Sequence, residues 1–404
     1  MAAVTDRLVR GLLGVLLCGS VGASAASVKQ AFSEGKHQGQ IRVYNNTLAL
    51  QHAPDKYGTA FGGKLGFETK AEHLWGLSLG VGYYTANDLE TNKNNAVARA
   101  PFTPTVDVDI LGEAFARWTG YDTVLTAGRQ LVNSPHANPS DAFVVPITYT
   151  GYSVVNKSIT GLTINAQYLM SIKTREAQKF VNVGDFILTR NAGVAKDTKG
   201  TSVFGLVYEH SPLKIQLWHY GFADFFNMQW LEADYGFDLG TYKPYLSAHL
   251  GLENDTGEKL LGNVDSKLVG VKAGVKAFGA DLSFAYDKVS TGTFYSPYTY
   301  FTDGMYTNSM ITGISNVDSG HAWKTMLLYD ITTQWWAKLS HSRFKFDAGT
   351  DFSESDFDIR YLFSKEGDLD GLSALVRVGY RDGSNSPAGY ADLIEYRTQL
   401  QYVF

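Results

Sequence analysis

Apolar and polar residues alternate with a period of two through nearly the whole chain. One clear run sets five apolar residues against five small or polar ones: Trp75, Leu77, Leu79, Val81 and Tyr83 against Gly76, Ser78, Gly80, Gly82 and Tyr84. Because successive side chains of a strand point to opposite faces, this alternation predicts strands with two chemically different faces. Beyond the first 25 residues, no stretch reaches the roughly 20 apolar residues of a membrane helix. The pattern therefore predicts an all-β fold.

Extended to the whole chain, the alternation predicts about eighteen strands in one domain. An even number is needed when both ends of a closed barrel lie on the same side of a membrane. The predicted strands span 39–49, 57–69, 73–85, 104–118, 121–130, 148–158, 161–173, 201–210, 213–222, 227–236, 241–252, 266–277, 279–288, 322–331, 334–344, 354–364, 371–382 and 390–404.

The lengths of the connections indicate a transmembrane antiparallel β-barrel. Odd-numbered connections are mostly long, as at 86–103, 131–147, 174–200 and 289–321, whereas even-numbered ones are tight. Short periplasmic turns alternating with long outer loops are typical of outer-membrane barrels. Aromatic residues cluster near the tight-turn ends, where an interfacial girdle belongs: Trp75, Trp118, Tyr121, Trp335, Tyr402 and Phe404.

Both ends of the chain predict export to the outer membrane of a Gram-negative bacterium. Arg7 and Arg10, an apolar run at 11–21 and a small-residue site ending at Ala25 form the pattern of a signal peptide spanning 1–25. Cys18 raises the alternative of a lipoprotein, but Leu17 before it is larger than lipid attachment prefers. The remaining 26–404 are predicted to form a single barrel domain. Its last strand ends on Phe404, which resembles the signal read by the barrel-assembly machinery.

Composition agrees with a membrane barrel and excludes other classes. The chain carries 41 Gly, 24 Tyr and 23 Phe, and its mean hydropathy is −0.14. Such an average is expected when every second strand residue faces lipid and the rest face water. A formal net charge of −5 gives no basic footprint for nucleic acid. The expected partners are outer-membrane lipid, lipopolysaccharide and small solutes.

The residues between the lipid-facing apolar ones are predicted to line a water-filled lumen. A basic stripe runs along neighbouring strands: Arg42, Lys324, Lys338, Arg360, Arg377 and Arg397. The opposite wall is predicted to be acidic, with Asp107, Asp109 and Glu113. Because guanidinium groups stay charged and pair with carboxylates, a row of them offers an anion successive weak sites. The alternative is that these are solvated wall charges without a role in recognition.

The connection 131–147 is predicted to fold into the barrel and narrow it. It contains three prolines and an apolar stretch at 142–145, which is unusual for an outer loop exposed to water. Folded inward, it would bring Ser134, Asn138, Ser140 and Asp141 to a constriction. The alternative is a stiff loop on the surface.

Several segments resemble the OprD-type family of outer-membrane porins. They include the 31–36 segment before the first strand, Gly128-Arg129-Gln130 leading into Ser134-Pro135, Val145-Pro146 and the 218–235 segment. The similarity extends over most of the chain but has no single diagnostic motif. It implies an eighteen-stranded barrel with a narrow pore, pinched by inward-folded loops. It also implies a basic ladder that guides carboxylate-bearing solutes such as amino acids or organic acids.

The expected function is passive diffusion of small hydrophilic solutes, favouring those with carboxylates, without enzymatic activity, cofactor or metal. One alternative is an adhesive or structural barrel with a blocked pore, because the connections 174–200 and 289–321 are long. Another is a barrel hydrolase, but the nine histidines show no spacing of a Ser/His/Asp site. Monomer and loose trimer both remain open.

Overall fold

The computed structural model describes residues 25–51, 53–89, 107–299, 302–364, 366–383 and 392–404. The signal peptide predicted at 1–25 and Cys18 therefore lie outside the described residues, apart from Ala25. Among the described helices, none is long and apolar enough to cross a membrane.

Eighteen long strands form one antiparallel sheet that closes on itself between β1 and β18. The strands are β1 (Lys36–Leu50), β2 (Lys56–Glu68), β3 (Leu77–Asp88), β4 (Val108–Gly120), β5 (Thr123–Gln130), β6 (Thr148–Ile159), β7 (Leu162–Lys173), β8 (Thr201–His210), β9 (Leu213–Phe222), β10 (Phe226–Gly236), β11 (Lys243–Asp255), β12 (Asp265–Ala277), β13 (Ala280–Val289), β14 (Gly320–Asp330), β15 (Trp335–Phe346), β16 (Asp351–Leu362), β17 (Leu372–Asp382) and β18 (Leu393–Val403).

This closed barrel confirms the predicted fold and strand number. Strand β3 starts four residues later than predicted, at Leu77 and not at residue 73. The reason is local. Residues Ala71–Leu74 form a 3-10 turn, and the next two residues, Trp75 and Gly76, have left-handed backbones with φ of 52° and 87°. Extended backbone cannot start before that pair ends.

Helical segments are few and lie in the connections. Helix α1 (Ala25–Ser33) precedes β1, and helix α2 (Val183–Ala192) lies between β7 and β8. A two-residue strand, Val181–Asn182, pairs with the end of β7, and a second 3-10 turn spans Gly367–Leu369. Asn182 caps α2 by accepting a hydrogen bond from the Gly184 N–H at 2.8 Å.

The two faces of the sheet separate apolar from polar side chains. Outward residues are largely apolar and exposed, for example Leu339 at 57 % and Phe284 at 53 %. Inward neighbours on the same strands, such as Ser340 and Ser283, are buried. Only lipid makes an outward apolar surface of this extent favourable, so the outer face is the membrane face.

The connections define the orientation of the barrel. Both ends of the sheet-forming chain lie on the same side as the mostly short connections 69–76, 121–122, 160–161, 211–212, 237–242, 278–279, 331–334 and 363–371. We refer to this side as the periplasmic end. Helix α1 lies at this end, where the Lys70 N–H donates to the Ala31 carbonyl at 2.9 Å. The opposite, extracellular end carries the described parts of the long connections 131–147, 174–200 and 290–319.

A β-bulge in β4 corrects the predicted acidic wall. Gly82 pairs with Glu113 but the next residue, Tyr83, pairs with Leu111, so Gly112 is an extra residue in β4. The insertion reverses the alternation, and residues before it face the opposite way. Asp109 therefore lies on the outer face, where it accepts hydrogen bonds from the Tyr83 and Thr85 hydroxyls at 2.8 and 2.9 Å. The prediction that Asp109 lines the lumen was wrong.

We expect Gly371→Ala to destabilise the barrel more than Gly349→Ala. Both glycines have left-handed backbones, with φ of 85° and 90°. A Cβ at Gly371 would lie 2.0 Å from the Val403 carbonyl oxygen, whereas a Cβ at Gly349 would meet nothing within 4 Å. The backbone strain of about 1–3 kcal/mol is common to both variants, and only Gly371→Ala adds a clash with β18. Urea unfolding of the protein in phospholipid vesicles, followed by tryptophan fluorescence, measures the difference. Equal losses would contradict the close approach.

Candidate functional site: the barrel lumen

The lumen has an aromatic side and a charged side. Inward residues of β9 and β10 form a buried aromatic cluster with residues of the 131–147 and 290–319 connections, which we term the inner loops. Its members on these two strands are Trp218, Tyr220, Phe222, Phe226, Met228 and Trp230. Across the lumen, β14 to β18 and β1 carry the basic residues predicted from the sequence. Both inner loops therefore enter the barrel and pack on its wall rather than lying over its mouth.

All six residues of the predicted basic stripe face inward, but they divide into two groups. Lys338, Arg360 and Arg377 are partly exposed to the lumen. Asp358 lies between two of them, 2.6 Å from the Lys338 Nζ and 3.1 Å from the Arg377 Nε. Strand register places these residues side by side, since Lys338 pairs with Asp358 and Asp358 with Arg377. Arg360 has no ion pair with the residues that the structure describes.

The other three basic residues are buried and hold the inner loops. The Arg42 guanidinium donates to both Asp141 carboxylate oxygens at 2.6 and 3.2 Å, and also to the Phe143 carbonyl. Arg397 donates to the Met310 carbonyl at 3.0 Å, and Lys324 to the Asn308 carbonyl at 2.5 Å. Because their charges are engaged with the protein, these three contribute to the shape of the lumen more than to a surface for solutes.

Carboxylates that the sequence analysis overlooked lie within the same wall. Glu354, Asp356 and Asp358 face inward from β16 and Glu395 from β18, all of them buried. Glu395 accepts from Arg397 at 2.8 and 2.9 Å. The sequence alternation already places these four residues in the lumen, because they have the same parity as Arg360 and Arg397 on their strands. The wall is therefore a mixed row of cations and anions and not a purely basic stripe.

These carboxylates anchor the 290–319 loop through its backbone. Glu354 accepts from the Ile311 N–H at 2.7 Å and Asp356 from the Met310 N–H at 3.2 Å. On β13, Asp287 accepts from both the N–H and the hydroxyl of Thr307 at 2.8 Å. Each of these carboxyl groups therefore satisfies a backbone N–H of the loop that is buried inside the barrel. The loop thus crosses the lumen tied to two walls, at β13 and at β16.

The 131–147 loop is held by an apolar cluster as well as by Arg42. Phe143, Val144 and Val145 are buried against inward residues of β1 to β4, with the Phe143 ring centroid 5.4 Å from that of Tyr44. Arg175, which the sequence analysis did not single out, stacks over the Phe143 ring at 4.0 Å. The apolar 142–145 stretch therefore lies inside the barrel and not on its surface.

The four residues predicted to line the constriction occupy different positions. Asp141 is 37 % exposed and faces the lumen beside Arg42. Asn138 is half-buried and donates to the Thr302 carbonyl at 2.9 Å, which joins the two inner loops. Ser140 is buried, and its hydroxyl accepts from Thr302 at 3.0 Å. Ser134 is buried too and bonds to the Ala137 carbonyl within its own loop at 3.1 Å.

Of the three residues predicted to form an acidic wall, Glu113 is the one that faces the lumen from within strand β4. It forms an ion pair with Lys64 at 2.7 Å and accepts from the Tyr84 hydroxyl at 2.8 Å. Asp107 precedes β4, and its carbonyl accepts a hydrogen bond from Gln178 of the 174–200 connection. Nearer the periplasmic end, Arg117 binds both oxygens of Glu68 at 2.8 and 2.6 Å. This wall is also mixed in charge.

A cavity of about 1060 Å³ lies on the periplasmic side of the 131–147 loop, between β4 and β10. Its lining includes many hydroxyl and amide groups, with cations from Arg117, Lys157 and Lys214 and carboxylates from Asp122, Glu232 and Asp303. A small hydrated solute of a few hundred Å³ fits such a space. The inner loops thus occupy the extracellular half of the lumen, and a polar vestibule lies below them.

His136 lies at the centre of the aromatic cluster. Its ring centroid is 4.6 Å from Trp230 and 5.5 Å from Tyr220, and its Nδ1 is 2.9 Å from the Ser296 hydroxyl. Burial, and to a lesser extent the neighbouring His249, lowers the pKa of His136 to about 3. The imidazole is therefore neutral near pH 7 and packs as an aromatic ring between the two inner loops.

The fold and the lumen define a class of protein: a closed outer-membrane β-barrel whose extracellular half is narrowed by its own connections, as in porins. A family model described as "outer membrane porin, OprD family" matches residues 62–335. The chain therefore belongs to the OprD family of outer-membrane porins, as its sequence resemblance suggested.

Solved structures agree on the fold. OpdK from Pseudomonas aeruginosa is 16 % identical with a TM-score of 0.77, and the match covers 92 % of this chain and 99 % of that one. OccK9 (OpdG) from the same species is 18 % identical with a TM-score of 0.78, covering 93 % and 99 %. A BenF-like porin from Pseudomonas fluorescens Pf-5 is 14 % identical with a TM-score of 0.78, with the same coverage. A search of curated proteins gave no match.

We expect Asp141→Asn to loosen the 131–147 loop. The substitution removes the carboxylate that faces the buried Arg42, and a hydrogen bond to a charged group contributes about 1.5–3 kcal/mol. Single-channel recordings should show more frequent current fluctuations than the wild type. Asp351→Asn is the matched control, because Asp351 pairs with Arg343 on the outer face at 2.9 Å. Identical noise in the two variants would contradict an anchoring role for Asp141.

We expect acid to weaken the docking of the inner loops through His136. Its pKa is about 3 when docked and near 6.5 when exposed, so the undocked state binds more protons between these values. Docking therefore loses stability as the pH falls below about 6.5, on the order of 1–3 kcal/mol by pH 4. In single-channel recordings from pH 7 to pH 4, His136→Phe should show a flatter rise in current fluctuations than the wild type. Parallel pH profiles would contradict this assignment, because other groups titrate in both proteins.

Proposed function

We propose that this porin passes small hydrophilic solutes by passive diffusion and favours those that carry a carboxylate. The observation that carries the proposal is the partly exposed row formed by Lys338, Arg360 and Arg377. Two of these cations, Lys338 and Arg377, share one inward carboxylate, that of Asp358. The row therefore keeps an excess of positive charge on the wall from which a solute approaches the inner loops.

The affinity expected of these three cations for a carboxylate is low enough for conduction. Lys338 and Arg377 already share Asp358, so a passing carboxylate competes for donors that have a partner. Arg360, without an ion pair among the described residues, is the most available of the three. Exposed ion pairs contribute only about 0.2–1 kcal/mol each, so a carboxylate binds and leaves readily. Amino acids and organic acids are the solute class that fits this wall.

The 131–147 loop forms the constriction in this proposal. Asp141 is the one predicted constriction residue with a charged, partly exposed side chain, and Arg42 is held beside it. A solute at this point lies beside the Asp141 carboxylate and the Arg42 guanidinium, which is already hydrogen-bonded to the loop. The constriction therefore disfavours the passage of small solutes that carry two negative charges. Asn138 contributes a neutral polar side chain between the two inner loops.

A solved relative supports the solute class. OpdK, which shares this fold, has been crystallised with vanillate, a small aromatic carboxylate. For the present chain the preference rests on its own row of cations, since the two sequences are only 16 % identical. The export by a signal peptide spanning 1–25 and the reading of Phe404 by the barrel-assembly machinery also belong to this proposal. Phe404 forms two backbone hydrogen bonds with Gly39, at 2.7 and 3.0 Å, which extend the closure of the barrel.

The alternative of a blocked structural barrel is favoured by one observation. Both inner loops fill the extracellular half of the lumen on the aromatic side. Single-channel conductance in planar bilayers separates the two functions. Discrete openings support a diffusion channel, whereas silence from folded protein supports the blocked barrel.

We expect Arg360→Gln and Arg377→Gln each to lower carboxylate permeability relative to a neutral solute. The loss should be about two- to fivefold, the equivalent of one exposed ion pair. Arg397→Ala should instead change loop fluctuations, since Arg397 is buried against Met310. Liposome swelling with glutamate and with a neutral sugar of similar size measures the ratio. The charge-matched control is Lys259→Gln, which changes an exposed lysine of an outer connection. An unchanged ratio of glutamate to sugar permeability in both lumen variants would contradict the proposed preference for carboxylates.

A further inference from the structure

Three lysines and a histidine lie on the lipid face of the barrel near its extracellular end. Lys267 lies on β12, Lys288 on β13, His321 on β14 and Lys345 on β15, each within two residues of its strand's extracellular end. We term the three lysines, together with the histidine that lies among them, the outer cation row. Lys288 pairs in register with His321, and His321 with Lys345. The row therefore runs across four neighbouring strands near their extracellular ends.

The alternation of each strand places the row outside and not in the lumen. Lys288 continues the face of Leu282 and Phe284, and Lys345 that of Leu339. The residues beside the lysines, Val289 and Phe346, are buried inside. All three lysines are exposed. The row therefore lies on the surface that the membrane covers.

The row is a local feature of the barrel. In the described strands, five lysine or arginine residues occupy outward positions: Arg129, Lys267, Lys288, Arg343 and Lys345. Four of them fall on β12, β13 and β15. The fifth, Arg129, is engaged by the Leu111 carbonyl at 2.9 Å and by the Phe180 ring at 4.7 Å. A general solubilising function would distribute such charges around the rim.

The charges of the row are not neutralised by the protein. Lys267, Lys288 and Lys345 form no ion pair with the residues that the structure describes. The nearby Asp351 is engaged by Arg343 at 2.9 Å, and Asp265 faces outward two residues before Lys267 on β12. A cation on the lipid face is costly near the membrane centre, but it is favourable where anionic headgroups supply the partner.

An aromatic band fixes the depth of the row at the headgroups. Tyr286 pairs with Trp323 one step below Lys288 and His321. The rings are close, with Phe284 stacked on Trp323 at 6.4 Å and Tyr286 at 6.0 Å from His321. Outward tyrosine and tryptophan mark the interface between hydrocarbon and headgroups. Two residues along a strand are about 7 Å, so the lysines reach the layer where lipid phosphates lie.

We propose that the outer cation row binds the phosphate groups of a phosphorylated glycolipid in the outer leaflet. Lys288 and Lys345 flank His321, at strand spacings that separate the two lysines by about 10 Å. A phosphomonoester above His321 is within reach of both ammonium groups, and Lys267 is beside it for a second phosphate. The acyl chains then lie along the apolar face formed by Val269, Phe284 and Leu339.

The test is binding of diphosphorylated lipid A to the purified full barrel in neutral detergent, measured by native mass spectrometry. The row variant is Lys267→Gln, Lys288→Gln and Lys345→Gln combined. Near a membrane surface each lysine contributes about a fivefold factor, so the affinity should fall on the order of a hundredfold. The matched control is Lys179→Gln, Lys196→Gln and Lys199→Gln combined, three exposed lysines of the 174–200 connection. It removes the same charge and should bind like the wild type.

Further measurements decide the remaining outcomes. Dephosphorylated lipid A should bind wild type and row variant equally weakly, and the variant with arginine at all three row positions should bind like the wild type. Equal losses in row and control variants, or full displacement of lipid A by millimolar inorganic phosphate, would overturn the proposal. The proposal would also be overturned if the row variant changed its oligomeric state without a change in lipid binding, because the row would then be a contact between protein molecules. Heat-modifiable migration on gels confirms that each variant is folded.

Discussion

Backbone pairing between β1 and β18 is the interaction on which the other features depend. In hydrocarbon, each unpaired N–H or C=O group costs several kcal/mol, so the sheet is stable in a membrane only when it has no edge. The pairing runs from Gln40 opposite Val403 to Leu50 opposite Leu393. With eighteen strands, the enclosed lumen is too wide for wall side chains to fill. Closure therefore creates a space that the chain must line with polar groups or fill with its own connections.

The structure does both, on different sides of the barrel. Against β9 and β10, aromatic wall residues pack with the inner loops and exclude water from the extracellular half. Against β1 and β14 to β18, charges remain, and those that the loops cover are paired, as with Arg42 and Asp141. A buried charge without a partner would cost more than the loop contact returns. Each inner loop thus brings the partners that its burial requires, and the uncovered cations are left for water and solute.

The strand number was predictable because membrane alternation is strong, and the failures have identifiable causes. Asp109 was placed on the wrong face because Gly112 adds one residue, and no local pattern marks a bulge of this kind. On β9, Trp218, Tyr220 and Phe222 alternate with His219 and Gly221, which taken alone predicts an outward aromatic face. They face inward because the inner loops cover them. The inward orientation of these aromatic residues depends on contacts with segments far apart in sequence. The periodicity of β9 alone carries no information about such contacts.

The division of the predicted stripe has the same origin. Parity along the strands placed Arg360, Arg377 and Arg397 in the lumen, but parity cannot show which of them a loop covers. Arg397 donates to Met310 of a connection that enters the barrel some 87 residues earlier in the chain. The carboxylates of β16 shared the parity of Arg360, and their positions were as accessible to the sequence analysis as that of the arginine.

The charge of a barrel has to be counted separately for its lumen face and for its outer face. On β15, Lys338 faces the lumen beside Asp358, while Arg343 and Lys345 face the membrane near the headgroups. One strand therefore serves an aqueous and a lipid environment, and a shift of one residue in register would exchange them. The formal net charge of −5 describes neither face, because the lumen wall holds paired charges of both signs and the outer face concentrates its cations in one sector. Since register is set by closure of the sheet, the solute wall and the lipid-facing row are specified by the same backbone pairing.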